Sequence, residues 1–234
     1  MGNIAFIFAR GQSKRLPGKN IKLLAGKPLI AWSIETAKEV ESISRVIVST
    51  DSNEISDIAL KYGAEVPFIR PAELAKDETP EWLAWKHALS YLKDTTKEFP
   101  EFMISVPATS PLRNKVDIEN CIKEYKKGNV EAVITVTNSH RNPYFNVVKE
   151  DLDGTISIVN KMSTSINNRQ SAPEVFDMTT VCYVVNSKFI MTHNAIFDGR
   201  VRAVHIPAER SIDIDTLLDF DIAEALLLKK KVEN

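Results

Sequence analysis

A run of basic residues follows the first apolar stretch of the chain. The segment FARGQSKRLPGKN, residues 8–20, carries four cations: Arg10, Lys14, Arg15 and Lys19. Charges of one sign this close together repel, so they must either be solvated or face a strongly anionic ligand. Gly11 allows the backbone to come close to a ligand, and Ser13 adds a hydroxyl donor. The segment predicts a cradle for a polyphosphate, with a solvated basic loop as the alternative.

The spacing of the glycines narrows the class of phosphate site. The segment contains neither GxGxxG nor GxxxxGK[ST]. A nicotinamide-dependent dehydrogenase and a P-loop NTPase are therefore disfavoured. The loop directly follows an apolar run that is typical of a strand buried on both faces, and this position favours phosphate binding over a solvated loop.

Two carboxylates near the C-terminus form a second candidate site. In SIDIDT, residues 211–216, Asp213 and Asp215 alternate on a strand-like segment, so we expect both side chains on one face. Neighbouring carboxylates repel, and a divalent cation relieves this repulsion. Oxygen-only ligands near phosphate favour Mg²⁺. The alternative is that Asp215 and Thr216 cap the closing helix. Combined with the cradle, the pair indicates nucleotidyl transfer, in which an oxygen attacks the α-phosphate and pyrophosphate leaves.

Alternating strand and helix patterns are expected to position these residues. Apolar runs predict strands at 3–9, 45–50, 101–108 and 131–137, and helical periodicity lies between them at 29–40, 53–62, 80–92 and 116–126. This alternation predicts an α/β fold with a mostly parallel sheet. Residues 138–186 are β-rich, with a hairpin turn at 153–154 and a polar loop at 161–172, and we expect an insertion that forms a dimer contact or a pocket wall. A strand, a loop and an amphipathic helix close a single domain spanning 1–234.

Composition excludes several classes of function. The chain has 234 residues, 44% of them hydrophobic, and a net charge of −1. Because basic residues are not in broad excess, a nucleic-acid-binding protein is disfavoured. Cys121 and Cys182 lack metal-ligand spacing and are expected to be reduced thiols. Neither a signal peptide nor an apolar stretch of membrane-spanning length is found, so we expect a cytoplasmic protein without a membrane partner.

The motifs resemble those of the acylneuraminate cytidylyltransferases (CMP-sialic acid synthetases). The basic segment matches the N-terminal signature of that family, and VSTDSNEI, IRPAELAKD, ATSPLR, NRQSAP and SIDIDT follow in the expected order. The similarity runs over residues 4–225. It implies a Rossmann-like nucleotidyltransferase fold (GT-A-like) and a homodimer that exchanges the β-rich insertion. It also implies the use of CTP and Mg²⁺ to activate a nine-carbon 2-keto sugar acid.

The resemblance also implies a role for individual residues. The implied nucleotide contacts are Ala9, Arg10, Gly11, Ser13, Lys14, Lys19, Asn20, Arg70, Thr109 and Ser110, with Arg113 beside them. Lys19 would act nearest the transferring phosphate, and Asp213 and Asp215 would be catalytic residues that hold the metal. The implied sugar-acid contacts are Arg169, Gln170, Tyr144, Phe145 and Asp177, and a guanidinium suits the carboxylate of the substrate.

Several positions depart from the family pattern. Residues 107–109 read Pro-Ala-Thr where the family often has Q-P-T, so the glutamine that reads cytosine in many members is absent. Pro80 stands in place of a serine, Phe145 in place of a basic residue, and Asp177 in place of an arginine. Changes of this kind in the sugar half alter which hydrogen bonds the pocket can make. They favour the legionaminic-acid branch over N-acetylneuraminate.

Three alternatives remain open. A 3-deoxy-manno-octulosonate cytidylyltransferase performs the same chemistry on an eight-carbon acid, but Lys14 and Asn20 favour the acylneuraminate side. A sugar-1-phosphate nucleotidyltransferase normally begins with a glycine-rich loop that this chain lacks. A catalytically inactive nucleotide- or sugar-binding module would not need Lys19, Asp213 and Asp215.

Overall fold

The protein is described from a computed structural model that covers residues 2–162 and 168–233. The strands are β1 (Asn3–Phe8), β2 (Leu23–Leu24), β3 (Lys27–Pro28), β4 (Ile43–Ser49), β5 (Phe102–Ser105), β6 (Ala132–Asn138), β7 (Val148–Glu150), β8 (Ile156–Ile158), β9 (Phe176–Asn186) and β10 (Val201–His205). The α-helices are α1 (Leu29–Lys38), α2 (Asn53–Lys61), α3 (Glu81–Tyr91), α4 (Lys115–Lys126), α5 (Ser187–Thr192) and α6 (Leu217–Glu233). The strands and helices predicted for the first 137 residues are confirmed within a few residues at each end.

Six strands form the central sheet, in the order β10-β6-β9-β5-β1-β4. Strand β1 pairs in parallel with β4 and with β5, and β6 pairs in parallel with β10. Strand β9 is antiparallel to both β5 and β6, so it alone runs against the other five. The predicted α/β fold with a mostly parallel sheet is confirmed.

Helices cover both faces of the sheet, which explains why the strand sequences are continuously apolar. Phe6 and Ile7, adjacent on β1, are both fully buried. Phe6 belongs to a cluster with Trp85 of α3, whereas Ile7 belongs to a cluster with Ile34 of α1. Burying each such side chain contributes about 1.5–3 kcal/mol. Because the central strands are fixed from both sides, the loops at their ends have a rigid base.

The β-rich segment 138–186 contributes to two different structures. Strands β7 and β8 form an antiparallel hairpin whose turn includes Gly154 at φ +81°, as the turn prediction required. All of β9 lies in the central sheet: its last residues pair with both β5 and β6, while its first residues pair with the end of β6, with Asp177 opposite Thr137. Part of the predicted polar loop, residues 163–167, lies outside the described residues. The assignment of this segment as a dimerisation insertion stays a prediction.

The carboxylate segment does not form the predicted strand. Residues 211–215 have irregular backbone and are not part of any strand of the sheet. The segment is anchored by the buried Ile214, whose N–H donates to Thr109 O at 2.8 Å. Helix α6 then begins at Leu217. None of the helices in the described ranges combines the length and apolarity needed to cross a membrane.

Residues Thr216 and Asp219 cap α6. The Thr216 N–H donates to Asp219 Oδ2 at 2.7 Å, and the Asp219 N–H donates to Thr216 Oγ1 at 3.3 Å. This reciprocal pair satisfies backbone donors in the first turn of the helix. Of the two residues in the capping alternative, Thr216 therefore caps α6. The Asp215 carboxylate does not, because it accepts a hydrogen bond from Lys19 instead.

Candidate active site at the edge of the sheet

A cavity of about 530 Å³ opens where the central strands end. Its wall is formed by the loop after β1, by the segment that leads into α3, by the loop after β5 and by the segment that follows β10. The lining residues are Phe8, Arg10, Ser13, Lys14, Arg15, Lys19, Asn20, Arg70, Leu74, Ala75, Lys76, Asp77, Thr79, Glu81, Thr109 and Asp215. Seven of the ten predicted nucleotide contacts are in this set; Ala9, Gly11 and Ser110 are not.

Two hydrogen bonds hold the backbone of the basic loop. The Gly11 N–H donates to Asp51 Oδ1 at 2.8 Å, and Asn20 Nδ2 donates to Arg10 O at 3.0 Å. Asn20 is itself buried. Gly18 turns the chain at φ +65°, a conformation that favours glycine. The backbone is thus fixed while the basic side chains remain directed at the cavity.

One carboxylate holds the two cations at the start of the loop. Arg10 Nη1 lies 2.5 Å from Asp77 Oδ1, and Lys14 Nζ lies 2.6 Å from Asp77 Oδ2. The hydrogen bond from Lys14 lowers the pKa of Asp77, and the same bond raises the pKa of Lys14. Asp77 therefore occupies the position in which these cations would meet an anionic ligand.

Lys19 joins the basic loop to the carboxylate segment. Its Nζ donates to Ile214 O at 2.6 Å and to Asp215 Oδ1 at 3.1 Å. Only 11% of the Lys19 side chain is exposed, so its charge is weakly screened. Arg15 Nη1 approaches the other oxygen, Asp215 Oδ2, at 3.4 Å. The predicted catalytic residues Lys19 and Asp215 are therefore in direct contact, although 196 positions separate them in sequence.

Asp213 has an unsatisfied oxygen. Its Oδ1 is buried and has no hydrogen-bond partner. Burial raises the pKa of Asp213 and the charge of Asp215 raises it further, while the hydroxyls of Thr109 and Thr180 oppose the shift. Leaving a buried charged oxygen unpaired is costly, so the pair is suited to a cation.

The carboxylates of Asp213 and Asp215 suit Mg²⁺ better than a metal ion whose ligands all come from the protein. Within residues 2–162 and 168–233, no cluster of three or more His, Cys, Asp or Glu side chains could hold a metal. Mg²⁺ commonly binds one or two carboxylates and takes its remaining ligands from phosphate and water. Asp215 lines the cavity beside the basic loop, whereas Asp213, two residues earlier, lies outside that lining and is more deeply buried; the pair fits this requirement in donor type.

Arg70 presents a second buried cation to the cavity. It is 4% exposed, its Nη2 lies 3.8 Å from Asp51 Oδ1, and its Nε has no partner. Burial lowers the pKa of Arg70, with Asp51 opposing the shift. The guanidinium is thus incompletely paired and can accept a further anionic or carbonyl ligand.

Arg113 and Ser110 support the cavity wall from behind. Arg113 Nε donates to Val181 O at 2.7 Å, and its Nη2 donates to Pro107 O. Full burial lowers the pKa of Arg113 to about 10. Ser110 Oγ lies 2.6 Å from Thr180 Oγ1. Of this strand-end loop, Thr109 lines the cavity, whereas the Arg113 side chain fixes the loop's backbone.

The predicted sugar-acid residues lie away from this cavity. Arg169 and Gln170 line a second cavity of about 400 Å³, formed with Asn138, Ser139, Asn142 and residues 172–175. Arg169 Nη2 donates to Ser139 O at 2.5 Å. Tyr144 and Phe145 are half-buried in the adjoining turn, and Asp177 is exposed on β9. Within one chain, the nucleotide set and the sugar-acid set are therefore separate.

Sequence reasoning missed three acidic residues of the site: Asp51, Asp77 and Glu81. Asp51 follows β4 directly, and that position at the edge of a parallel sheet was a usable signal. Asp77 ends the motif IRPAELAKD and Glu81 begins the predicted helix at 80–92, but neither motif nor periodicity indicates that these side chains face the cavity. Glu81 lines the cavity, and desolvation of its carboxyl raises its pKa, while Trp85 Nε1, which donates to Glu81 Oε1 at 2.9 Å, opposes the shift.

This chain is similar to known proteins both in sequence and in fold. Residues 4–231 match the family model described as Cytidylyltransferase. The CMP-N,N'-diacetyllegionaminic acid synthase of Campylobacter jejuni is 33% identical over 97% of this chain and 95% of its own length. The N-acylneuraminate cytidylyltransferase of Escherichia coli is 35% identical over 97% of this chain and 52% of its own length.

A solved structure supports the fold. The structure of CMP:2-keto-3-deoxy-manno-octonic acid synthetase complexed with CTP superposes with a TM-score of 0.72 at 15% identity, covering 98% of this chain and all of that one. At this identity the likeness concerns the fold alone, which agrees with the mostly parallel sheet described above. With the family model matching nearly the whole chain, the conclusion is direct: this chain is a member of the cytidylyltransferase family.

Proposed function

We propose that this protein transfers CMP from CTP to the anomeric hydroxyl of a nine-carbon 2-keto sugar acid and releases pyrophosphate. The observation that carries the proposal is the contact of Lys19 with Asp215, beside the unsatisfied oxygen of Asp213, in a cavity lined by basic residues. The two relatives described above are named for sugar acids of this class.

The basic residues bind and neutralise the triphosphate. Arg10 and Lys14 leave Asp77 for the β- and γ-phosphates, because a polyphosphate offers more negative charge than one carboxylate. Lys19 is fixed at the junction of the two segments and stabilises the charge that develops on the leaving pyrophosphate. Because it is already positioned and poorly screened, its reorganisation on reaction costs little free energy.

Asp213 and Asp215 hold Mg²⁺ in this proposal. Bound there, the ion would neutralise an α-phosphate oxygen and lower the pKa of the attacking hydroxyl. Asp213 would supply the oxygen that has no hydrogen-bond partner, and Asp215 would supply a carboxylate that is now paired with Lys19 and Arg15. Ile214 keeps the two carboxylates in place because its side chain is buried and its N–H is bonded to Thr109 O.

Arg169 and Gln170 bind the sugar acid in this proposal, with the guanidinium paired to the substrate carboxylate. Since these residues line a different cavity from the nucleotide contacts within one chain, we propose a homodimer. In it, the segment 138–186 of each protomer would reach the nucleotide cavity of the other. Exposed apolar side chains on the β7–β8 hairpin, Val148, Leu152 and Ile156, suit a surface that is covered on association.

We propose a legionaminic-type acid as the preferred substrate. The identities of 33% and 35% are too close to choose between the two relatives. The choice rests on Phe145, since an apolar ring suits a sugar with fewer hydroxyl groups than a cationic side chain does, and on Asp177, which replaces the donor of an arginine by an acceptor. The eight-carbon acid remains the second candidate for the acceptor.

The experiment is pyrophosphate release from CTP with N-acetylneuraminate, diacetyllegionaminate or the eight-carbon acid, with and without Mg²⁺. We expect metal-dependent release that is fastest with diacetyllegionaminate. In Phe145→Lys the preference should move toward N-acetylneuraminate, whereas Lys161→Ala, an exposed change in the same segment, should leave it unaltered. An unchanged preference in Phe145→Lys would contradict the substrate assignment. CTP binding without release with any acid would identify a binding module instead.

A further inference from the structure

Three carboxylates line the nucleotide cavity, and their partners differ. Asp77 is paired with Arg10 and Lys14, and Asp215 is paired with Lys19 and Arg15. Glu81 has no cation within salt-bridge distance among the described residues; the hydrogen bond from Trp85 Nε1 engages Oε1. A carboxyl group left this way in a triphosphate site repels the ligand unless it faces a hydrogen-bond donor on it.

The surroundings of Glu81 suit a planar base. Glu81 is the first residue of α3, and Trp85 lies one turn further along the same helix. The Trp85 ring lies 6.2 Å from the ring of Phe8, which itself lines the cavity. Leu74 and Ala75 add apolar surface to the lining. An aromatic and aliphatic wall beside a hydrogen-bonding group is the usual composition of a base-binding pocket.

We propose that Glu81 reads the cytosine base of CTP by accepting a hydrogen bond from its exocyclic N4 amino group through Oε2. This inference rests on the proposed function and names the residue that selects the nucleotide. Cytosine presents an amino donor at the position where uracil presents a carbonyl oxygen, so a carboxyl oxygen attracts the first and repels the second. Trp85 fixes the other oxygen and thereby the orientation of the carboxyl group.

This assignment accounts for a departure in the sequence. Residues 107–109 supply no glutamine to the cavity, and the pattern offered no other group to read the base. Glu81 supplies an acceptor from a different element, the start of α3. The ribose hydroxyls are the other donors on the nucleoside, but CTP and UTP share them, so the two possibilities give different results in one experiment.

The test is calorimetric binding of CTP and UTP to the full chain, compared between the wild type, Glu81→Ala and Glu81→Gln. In Glu81→Ala we expect CTP to bind about tenfold to a hundredfold more weakly and UTP to bind unchanged or more tightly, since each base contact of this kind contributes about this much discrimination. Glu81→Gln should also lose the preference for CTP, because the amide oxygen stays on Trp85 Nε1 and the amide NH2 then faces N4, where it repels cytosine and suits the O4 of uracil. Glu78→Ala and Glu78→Gln are the matched controls, since Glu78 is exposed and outside the lining.

Three results would overturn the inference. Equal weakening of CTP and UTP in Glu81→Ala would assign Glu81 to the ribose. A lower melting temperature with an unchanged CTP-to-UTP ratio would assign it to the stability of α3. A higher KM for the sugar acid alone would assign it to the acceptor. In all three the wild type still prefers CTP and the proposed function stands, whereas a wild type without preference for CTP would remove both.

Discussion

The two cavities of this chain are built in opposite ways. The nucleotide cavity lies on rigid strand ends, and its polar side chains are linked across nearly 200 residues of sequence by ion pairs such as Lys19–Asp215. The cavity at Arg169 and Gln170 lies on a segment with a short hairpin, many exposed side chains and an arginine bonded to a backbone carbonyl. The basic and acidic side chains of the first cavity are thus held in place by contacts between distant segments, whereas those of the second lie on a peripheral segment with few such contacts; in the proposed function the first would bind CTP and the metal and the second would bind the acceptor.

The largest effect is expected from removing the two proposed metal ligands. The double variant Asp213→Ala with Asp215→Ala should lower kcat by at least about a thousandfold, because Asp77 and Glu81, the other carboxylates of the cavity, lie on a different segment and are bonded to other groups. Pyrophosphate release at saturating CTP and Mg²⁺ measures it. The control is Asp57→Ala with Asp221→Ala, both exposed and outside the lining of the cavity. Turnover within tenfold of the wild type would refute the metal assignment.

Lys19→Met is expected to have the next largest effect. Loss of one preorganised electrostatic donor typically costs about a hundredfold to a thousandfold in kcat. Methionine keeps the unbranched shape and all but the terminal atom of the lysine side chain, so the loss can be ascribed mainly to the ammonium group. Lys61→Met, at the exposed end of α2, should behave as the wild type. If Lys19→Met changed only the KM for CTP, Lys19 would be a ground-state binding residue instead.

The variant Arg169→Ala tests whether the two cavities bind their substrates independently. We expect the KM for the sugar acid to rise about tenfold to a hundredfold with CTP affinity unchanged, since the lost pair is charge-assisted but exposed. Steady-state kinetics with each substrate varied in turn, together with CTP titration, measures this split, and Lys161→Ala is the control from the same loop. Weaker CTP binding in Arg169→Ala would show that the two cavities act as one.

A smaller effect should follow from a change behind the carboxylate segment. Arg210 Nε and Nη2 each donate to the buried Asp117 at 2.9 Å. Arg210→Met leaves that carboxylate without its cation and should destabilise the fold by about 2 kcal/mol, less than for a fully buried pair because Arg210 is partly exposed. The melting temperature should fall by about 4–8 °C.

The control for this change is Arg202→Met, which breaks a surface pair to Glu124 at 3.6 Å and should shift the melting temperature by less than about 2 °C. Equal shifts for the two variants would mean that the Arg210–Asp117 pair does not anchor the segment that leads to Asp213.

The sequence allowed the sheet and the nucleotide loop to be predicted because both depend on local patterns. Buried strands such as β1 are continuously apolar, and the basic loop follows β1 directly. The backbone of Asp213 and Asp215 could not be predicted in the same way. Its course is set by a long-range bond from Ile214 to Thr109, which alternation of apolar and acidic residues does not encode.

Contacts between distant segments also explain the residues that were missed or reassigned. Asp77 matters because Arg10 and Lys14 reach it from another loop, and this pairing leaves no local signal. Arg113 has a cationic side chain of the kind that binds nucleotide phosphates, yet this side chain is buried against backbone carbonyls. Residue type alone does not distinguish a guanidinium that faces a cavity from one that supports its wall.

The most direct test of the account is to identify the products formed from CTP, diacetyllegionaminate and Mg²⁺ by mass spectrometry. The account predicts one equivalent of pyrophosphate and one of the CMP ester of the sugar acid, with neither formed by the Asp213→Ala, Asp215→Ala double variant. Release of phosphate or free CMP in place of the ester would contradict nucleotidyl transfer at this site.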